Sequence, residues 1–215
     1  MAKTFVSDKE RLIEYIRDDP ELKASCSQLG INFSERDLYE LQWDISVFPK
    51  LQSVDLHKNN FSEIPECIRS LKHLKKLNMS HNMLNDIPEW ISELRDLELL
   101  NLSSNKGINT IPSEISELKC LDRLILSNCS IDIVPDCIYE IKTLRQIRLD
   151  NNKLNSLPLC SVERNEHYET LVMIVRTNPN LSLERFPEIQ KVIIFDRIIE
   201  AARYYNKINR IMELV

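Results

Sequence analysis

Five stretches of this sequence are variations on one pattern: LQSVDLHKNNF from Leu51, LKKLNMSHNML from Leu74, LELLNLSSNKGI from Leu97, LDRLILSNCSI from Leu121 and LRQIRLDNNKL from Leu144. Each leads into an Ile-, Val- or Leu-Pro step, at Pro65, Pro88, Pro112, Pro135 and Pro158, so the period is 23 residues with a single step of 24. A fixed period of this size marks stacked units, none of which can bury its apolar face alone. Inside each unit apolar and polar residues alternate. Val54 and Leu56, Leu77 and Met79, Leu100 and Leu102, Leu124 and Leu126, and Ile147 and Leu149 therefore point to one side of short strands. Identical strands recurring along the chain stack into a parallel sheet at about 4.8 Å spacing. The Pro-x-x-Ile-x-x-Leu half of each unit then returns the chain across the core, which Ile68 and Leu71, Ile91 and Leu94, Ile115 and Leu118, and Ile138 and Ile141 close from the convex side.

Asn59, Asn82, Asn105 and Asn152 form one column. A buried amide is needed there, because the turn leaving each strand carries backbone groups that neither sheet nor water satisfies. Cys129 takes this place in the fourth repeat, and is expected to be a tolerated variant with no metal. The 24-residue repeat carries Gly107, read as a loop insertion that uses a positive φ.

These five segments fit L-x-x-L-x-L-x-x-N/C-x-L and resemble the leucine-rich repeat family, in the 23-residue class whose repeats end in I-P-x-x-I-x-x-L. The resemblance covers about half the chain by strict match. It implies an α/β right-handed solenoid, a horseshoe with a parallel concave sheet and helical caps, acting as a protein-binding module. The class is similar to intracellular scaffolds that engage small GTPases and signalling enzymes. Low glycine with abundant Ile, Asn and Lys also looks like effectors injected by intracellular bacteria.

A solenoid exposes an apolar cross-section at each end, so both ends need covers. Residues 1–50 are assigned to an N-terminal helical cap. Ser7 to Glu10 reads as a capping box for a first helix, Asp19-Pro20 opens a second, and Ser34 starts a third carrying Leu38 and Leu41, with Trp43 and Phe48 close by. The repeats run over 51–187, the last a degenerate sixth at about 170–187, in which Met173, Val175 and Asn178 match Ile147, Leu149 and Asn152 and Phe186-Pro187 stands for the proline step. A helix over 162–177 is the competing reading of that apolar run. Residues 188–215 are assigned to a C-terminal cap of one or two helices, which serves alternatively as a docking element.

The chain has 215 residues, 43% of them hydrophobic and 28% charged, which is ordinary for a globular protein. With only Gly30 and Gly107 available, no glycine-rich phosphate cradle can be assembled. A net charge of −5 disfavours sequence-independent nucleic-acid binding. Lys9 and Glu10 interrupt any early apolar stretch, which argues against a secretory signal, and no run approaches the roughly 20 apolar residues of a spanning helix. Cys26, Cys67, Cys120, Cys129, Cys137 and Cys160 contain no CxxC pair, consistent with reduced thiols in a cytoplasmic setting, or in host cytosol for an effector. Cys137 and Cys160 fall in adjacent repeats of one column with Cys67, as packed thiols or as an oxidisable pair.

Catalytic chemistry finds little footing. His73 and His167 lack ligand spacing, and only His57 and His81 approach each other, two ligands where a metal needs three or four. Ser80, Ser103 and Ser127 share a concave column with Asp150 at its end and His57 at the opposite extreme. No enzyme activity, cofactor or metal is expected.

The outward positions of the strands form two columns: Ser53, Lys76, Leu99, Arg123 and Gln146, then Asp55, Asn78, Asn101, Ile125 and Arg148. Leu99 and Ile125 bury nothing there within the fold, so they stand out as the centre of a partner site. Lys76, Arg123 and Arg148 supply a basic rim, and Asn101 and Gln146 complete the site. The expected partner is a protein with an acidic rim, bound by a monomer. Two rivals remain: an adaptor that recruits a ligase or kinase through its terminal helices, and an enzyme with its site at a cap.

Overall fold

The computed structural model describes residues 30–41, 45, 48, 50–157 and 171–181, together with the backbone of 192–195. Eight parallel strands form one sheet in chain order: β1 (Gly30–Asn32), β2 (Ser53–Asp55), β3 (Lys76–Asn78), β4 (Leu99–Asn101), β5 (Arg123–Ile125), β6 (Gln146–Arg148), β7 (Leu171–Ile174) and β8 (Val192–Phe195). The register is that of the repeat, Val54 standing beside Leu77, Leu77 beside Leu100, Leu100 beside Leu124 and Leu124 beside Ile147. Those inward residues, with Leu56, Met79, Leu102, Leu126 and Leu149, are all buried.

Each return segment is a five-residue 3-10 helix: Glu66–Ser70, Glu89–Glu93, Ser113–Glu117 and Asp136–Glu140. A proline precedes each one, its ring holding φ between −56° and −69° and so setting the entry into the turn. Ile68, Ile91, Ile115 and Ile138 are buried by these turns. In the fourth repeat Tyr139 is buried as well, its hydroxyl 3.8 Å from the Met173 sulfur, whereas the matching Arg69, Ser92 and Ser116 lie nearer solvent.

The asparagine column is a hydrogen-bonded spine. The Asn82 amide nitrogen donates to the carbonyls of Leu56 (2.9 Å) and Met79 (3.0 Å), and its oxygen accepts from the Phe61 amide at 3.1 Å. Asn105, Asn152 and Asn59 repeat the arrangement, each tying its own strand exit to the preceding repeat. Asn178 does the same against Leu149, Val175 and Leu154, so a sixth repeat of this pattern exists. Immediately before each spine residue, Lys58, His81, Ser104, Asn128, Asn151 and Thr177 take left-handed φ values of 53–60°. That conformation costs non-glycine residues roughly 1 kcal/mol. It aims the amide at the next repeat, as in Lys58 to the Ser80 carbonyl and His81 to the Ser103 carbonyl, both at 2.8 Å.

Four expectations need correction. No helix starts at Ser34: β1 runs just before it, and the amides of Arg36 and Leu38 both donate to the Asn59 oxygen, making 30–41 a further repeat turn with Ile31, Phe33 and Leu41 buried. A helix over 162–177 is excluded where β7 lies, since it pairs in parallel with β6. Val192–Phe195, expected inside a C-terminal helix, is β8, so the strand ladder runs past residue 187. Gly107 is not at a positive φ. Glycine is required there by space: a Cβ would stand 2.5 Å from the Leu84 carbonyl oxygen and 2.9 Å from the Asn85 Cα. The helices expected over 7–29 and beyond 195, together with Cys26, Cys160, His167 and the Phe186-Pro187 step, lie outside the described residues.

Candidate functional site

Alternation along three-residue strands leaves two outward positions each, and parallel register turns them into columns across the sheet. One column runs Ser53, Lys76, Leu99, Arg123, Gln146 and Val172. Beside it run Asp55, Asn78, Asn101, Ile125, Arg148 and Ile174. The seven expected site residues therefore share one face. Leu99 pairs with Arg123 and Asn101 with Ile125, so the two apolar residues sit diagonally on adjacent strands, both half-buried. Lys76 and Arg123 are exposed, and among the described residues the ion pair of Arg123 is with Asp122, at 3.7 Å. Sequence reasoning stopped the columns at β6. The continuation to Val172 and Ile174, both half-buried, follows from the same alternation in TLVMIVR.

A third column follows the strands: Ser34, His57, Ser80, Ser103, Ser127, Asp150 and Arg176. On the N-terminal side its members are clamped by the residue two positions earlier. Asn78 accepts from the Ser80 hydroxyl at 2.8 Å, Asn101 accepts from the Ser103 hydroxyl at 2.8 Å, and Asp55 holds the His57 ring at 2.8 Å. The Asn101 oxygen is thus occupied, leaving its amide nitrogen as the donor it can offer a partner. His57 also faces Glu35 at 3.6 Å, while His81 sits in the left-handed position of the next turn, so the two histidines do not form a joint site.

On the C-terminal side the column is ionic. Asp150, 9% exposed, accepts from Arg148 (3.2 Å), Arg176 (3.0 Å) and the Ser127 hydroxyl (3.0 Å). A carboxylate this buried requires such partners. Arg148 is consequently tethered to Asp150 on the outward face, and its register position lies between Ile125 and Ile174. No sequence rule pointed to this cluster, because its members are 2, 23 and 26 residues apart.

Among the described residues no three His, Cys, Asp or Glu side chains stand close enough to hold a metal ion. The Cys129 thiol bonds the Leu102 carbonyl at 3.5 Å, and burial pushes its pKa up. Burial does the same for Cys137, which donates to the Ser113 carbonyl. Neither is the thiolate that nucleophilic chemistry needs. Ser127 and Asp150 lack an intervening imidazole. The face offers shape, apolar contact and charge for binding.

A family model described as leucine rich repeat matches residues 49–106. No curated protein matches the chain. A leucine-rich repeat protein of Leptospira interrogans is similar in structure, with a TM-score of 0.64 and 27% identity over 77% of this chain and 48% of its own. The plant peptide hormone receptor RGFR1, solved in complex with RGF2, has a TM-score of 0.58 and 26% identity over 74% of this chain and 28% of its own. The chain thus spans about half the length of the first and under a third of the second. Among the described residues no helix is long and apolar enough to cross a membrane. The matched repeats, the asparagine spine and the single parallel sheet together make the fold a leucine-rich repeat solenoid.

Proposed function

We propose that the chain is a non-enzymatic, monomeric protein-binding module that takes an acidic-rimmed partner protein on its concave face. The observation that carries this reading is the position of Leu99 and Ile125, which lie on the outward side of adjacent strands beside the exposed cations Lys76 and Arg123. Apolar anchors within a charged rim are the anatomy of a protein interface. Asn101 and Gln146 supply polar contacts. Val172 and Ile174 extend the apolar surface toward β8, and Arg148, held by Asp150, contributes its stem more than a free charge. The peptide hormone receptor solved with RGF2 supports a peptide or protein ligand for repeats of this kind. Cys120, Cys129 and Cys137 are free thiols, which supports a cytoplasmic scaffold.

The test is affinity capture from lysate with the wild type and with Leu99→Asp and Ile125→Asp in parallel, followed by calorimetry on the captured partner. Each variant should keep its melting temperature within a few degrees. Each should lose about 30-fold or more in affinity, the equivalent of roughly 2 kcal/mol for a central anchor. A partner that binds both variants as well as it binds the wild type removes the concave face from consideration.

A further inference from the structure

The convex side carries a feature that concave binding does not use. At the second position after each proline the repeats show Cys67, Trp90, Glu114, Cys137 and Cys160. Trp90 is the one aromatic in this set. It packs on the core and is half-buried, in a groove of about 980 Å³ between the turns Glu89–Glu93 and Ser113–Glu117. Pro88 and Pro112 line the groove, so its backbone is stiff before anything binds.

The charges around Trp90 are unbalanced. Arg69 is the groove's single cation, and its guanidinium is committed to Glu93 and to Glu66. Glu93 in turn takes Lys72 at 3.0 Å, and these two cations, Arg69 first, hold its carboxyl down to about 2. Asp86, Glu89 and Glu114 remain. None of them has a cationic partner among the described residues, although all three line the groove around the indole. Carboxylates beside an accessible tryptophan face complement a guanidinium on both counts, since the plane stacks on the ring while the N–H fork pairs with carboxylate oxygens.

We propose that the convex groove at Trp90 is a second docking site, for an arginine-bearing segment of a partner protein. The arginine stacks on Trp90 and pairs with Glu89 or Glu114. This site stands independently of the concave face and is opposite to it in sign: there the exposed side chains are Lys76 and Arg123, here they are carboxylates. One molecule would thus hold an acidic surface on one side and a basic segment on the other.

The experiment is an NMR titration of the full chain with a five-residue peptide carrying two arginines, and with a counterpart carrying two glutamates. The Trp90 indole N–H resonance, identified by its loss in Trp90→Phe, is the reporter. It should shift saturably with the arginine peptide and stay fixed with the glutamate peptide. A Glu89→Gln/Glu114→Gln double variant should keep the wild-type melt and bind at least fivefold more weakly, while Leu99→Asp should bind the peptide as the wild type does. An unmoved indole, equal binding by the double variant, or shifts spread evenly over surface carboxylates elsewhere would overturn the site. Concentration-dependent self-association abolished in Trp90→Phe would make a second copy the occupant, and would equally overturn the proposal.

Discussion

The turns closed by Asn105 and by Cys129 are one repeat apart and face the same demand with unequal means. Asn105 donates to the carbonyls of Met79 and Leu102 at 2.9 Å each and accepts the Leu84 amide at 3.0 Å. Cys129 offers only long sulfur contacts, 3.5 Å to Leu102 and 3.8 Å to Ser127, and no acceptor for the amide 21 residues before it, that of Ile108. That amide is nevertheless satisfied, by the Asn105 carbonyl at 3.2 Å. The bond closes a turn over Asn105 to Ile108, where the repeat holds its 24th residue. The insertion and the cysteine are therefore two halves of one change: where the backbone supplies the acceptor, a thiol suffices on the spine.

The largest effect is expected where no such substitute exists. Asn82→Ala strips the partner from the Phe61 amide and from two carbonyls, all three sites being buried. It should cost roughly 3 kcal/mol, visible as a drop in the urea midpoint. Asn60→Ala, one residue beyond the spine in the preceding repeat, should change stability by less than about 0.5 kcal/mol. Equal midpoints for the two variants would remove the spine as the source of stability. Gly107→Ala comes next. Its Cβ would press on the Leu84 carbonyl and the Asn85 Cα, both backbone atoms that cannot swing aside, so overpacking of about 2 kcal/mol is expected. An unchanged melt would mean that the loop yields without loss, and the coupling to Cys129 would fail with it.

The repeat core was legible because its signal is periodic and apolar, and the same alternation identified the outward columns that carry Leu99 and Ile125. Other features were hidden for physical reasons. β1 has Ile31 and Phe33 at 23 residues before Val54 and Leu56, but Arg36 stands where the asparagine would be and Gln42 where the proline would be, so local helix signals at Ser34 outweigh the repeat. β8 lies in an apolar stripe whose spacing also suits a helix, and a short run such as VIIF cannot separate the two by period. The left-handed column was invisible, since Lys58, Ser104 and Thr177 do not favour that conformation and adopt it under tertiary hydrogen bonding. The Asp150 cluster and the Trp90 groove depend on contacts between repeats. Their residues are ordinary one at a time, and only stacking brings them together.

The smallest effect, and the one that sharpens the comparison most, is expected from Cys129→Asn. The new amide nitrogen would donate to the Leu102 and Ser127 carbonyls more strongly than sulfur does, a gain of about 1 kcal/mol. The new oxygen would enter a buried site whose natural donor, the Ile108 amide, is already committed to Asn105, and an unpartnered buried acceptor costs about as much. The two contributions oppose each other, so the unfolding free energy should stay within about 0.5 kcal/mol of wild type. Deleting Gly107 restores the 23-residue step and frees the Ile108 amide, which makes the deletion costly on its own and less costly when Cys129→Asn accompanies it. A double-mutant cycle should therefore show favourable coupling of about 1 kcal/mol or more. Strict additivity, or a clear stabilisation from Cys129→Asn alone, would mean that the turn at Asn105 is not what allows cysteine on the spine.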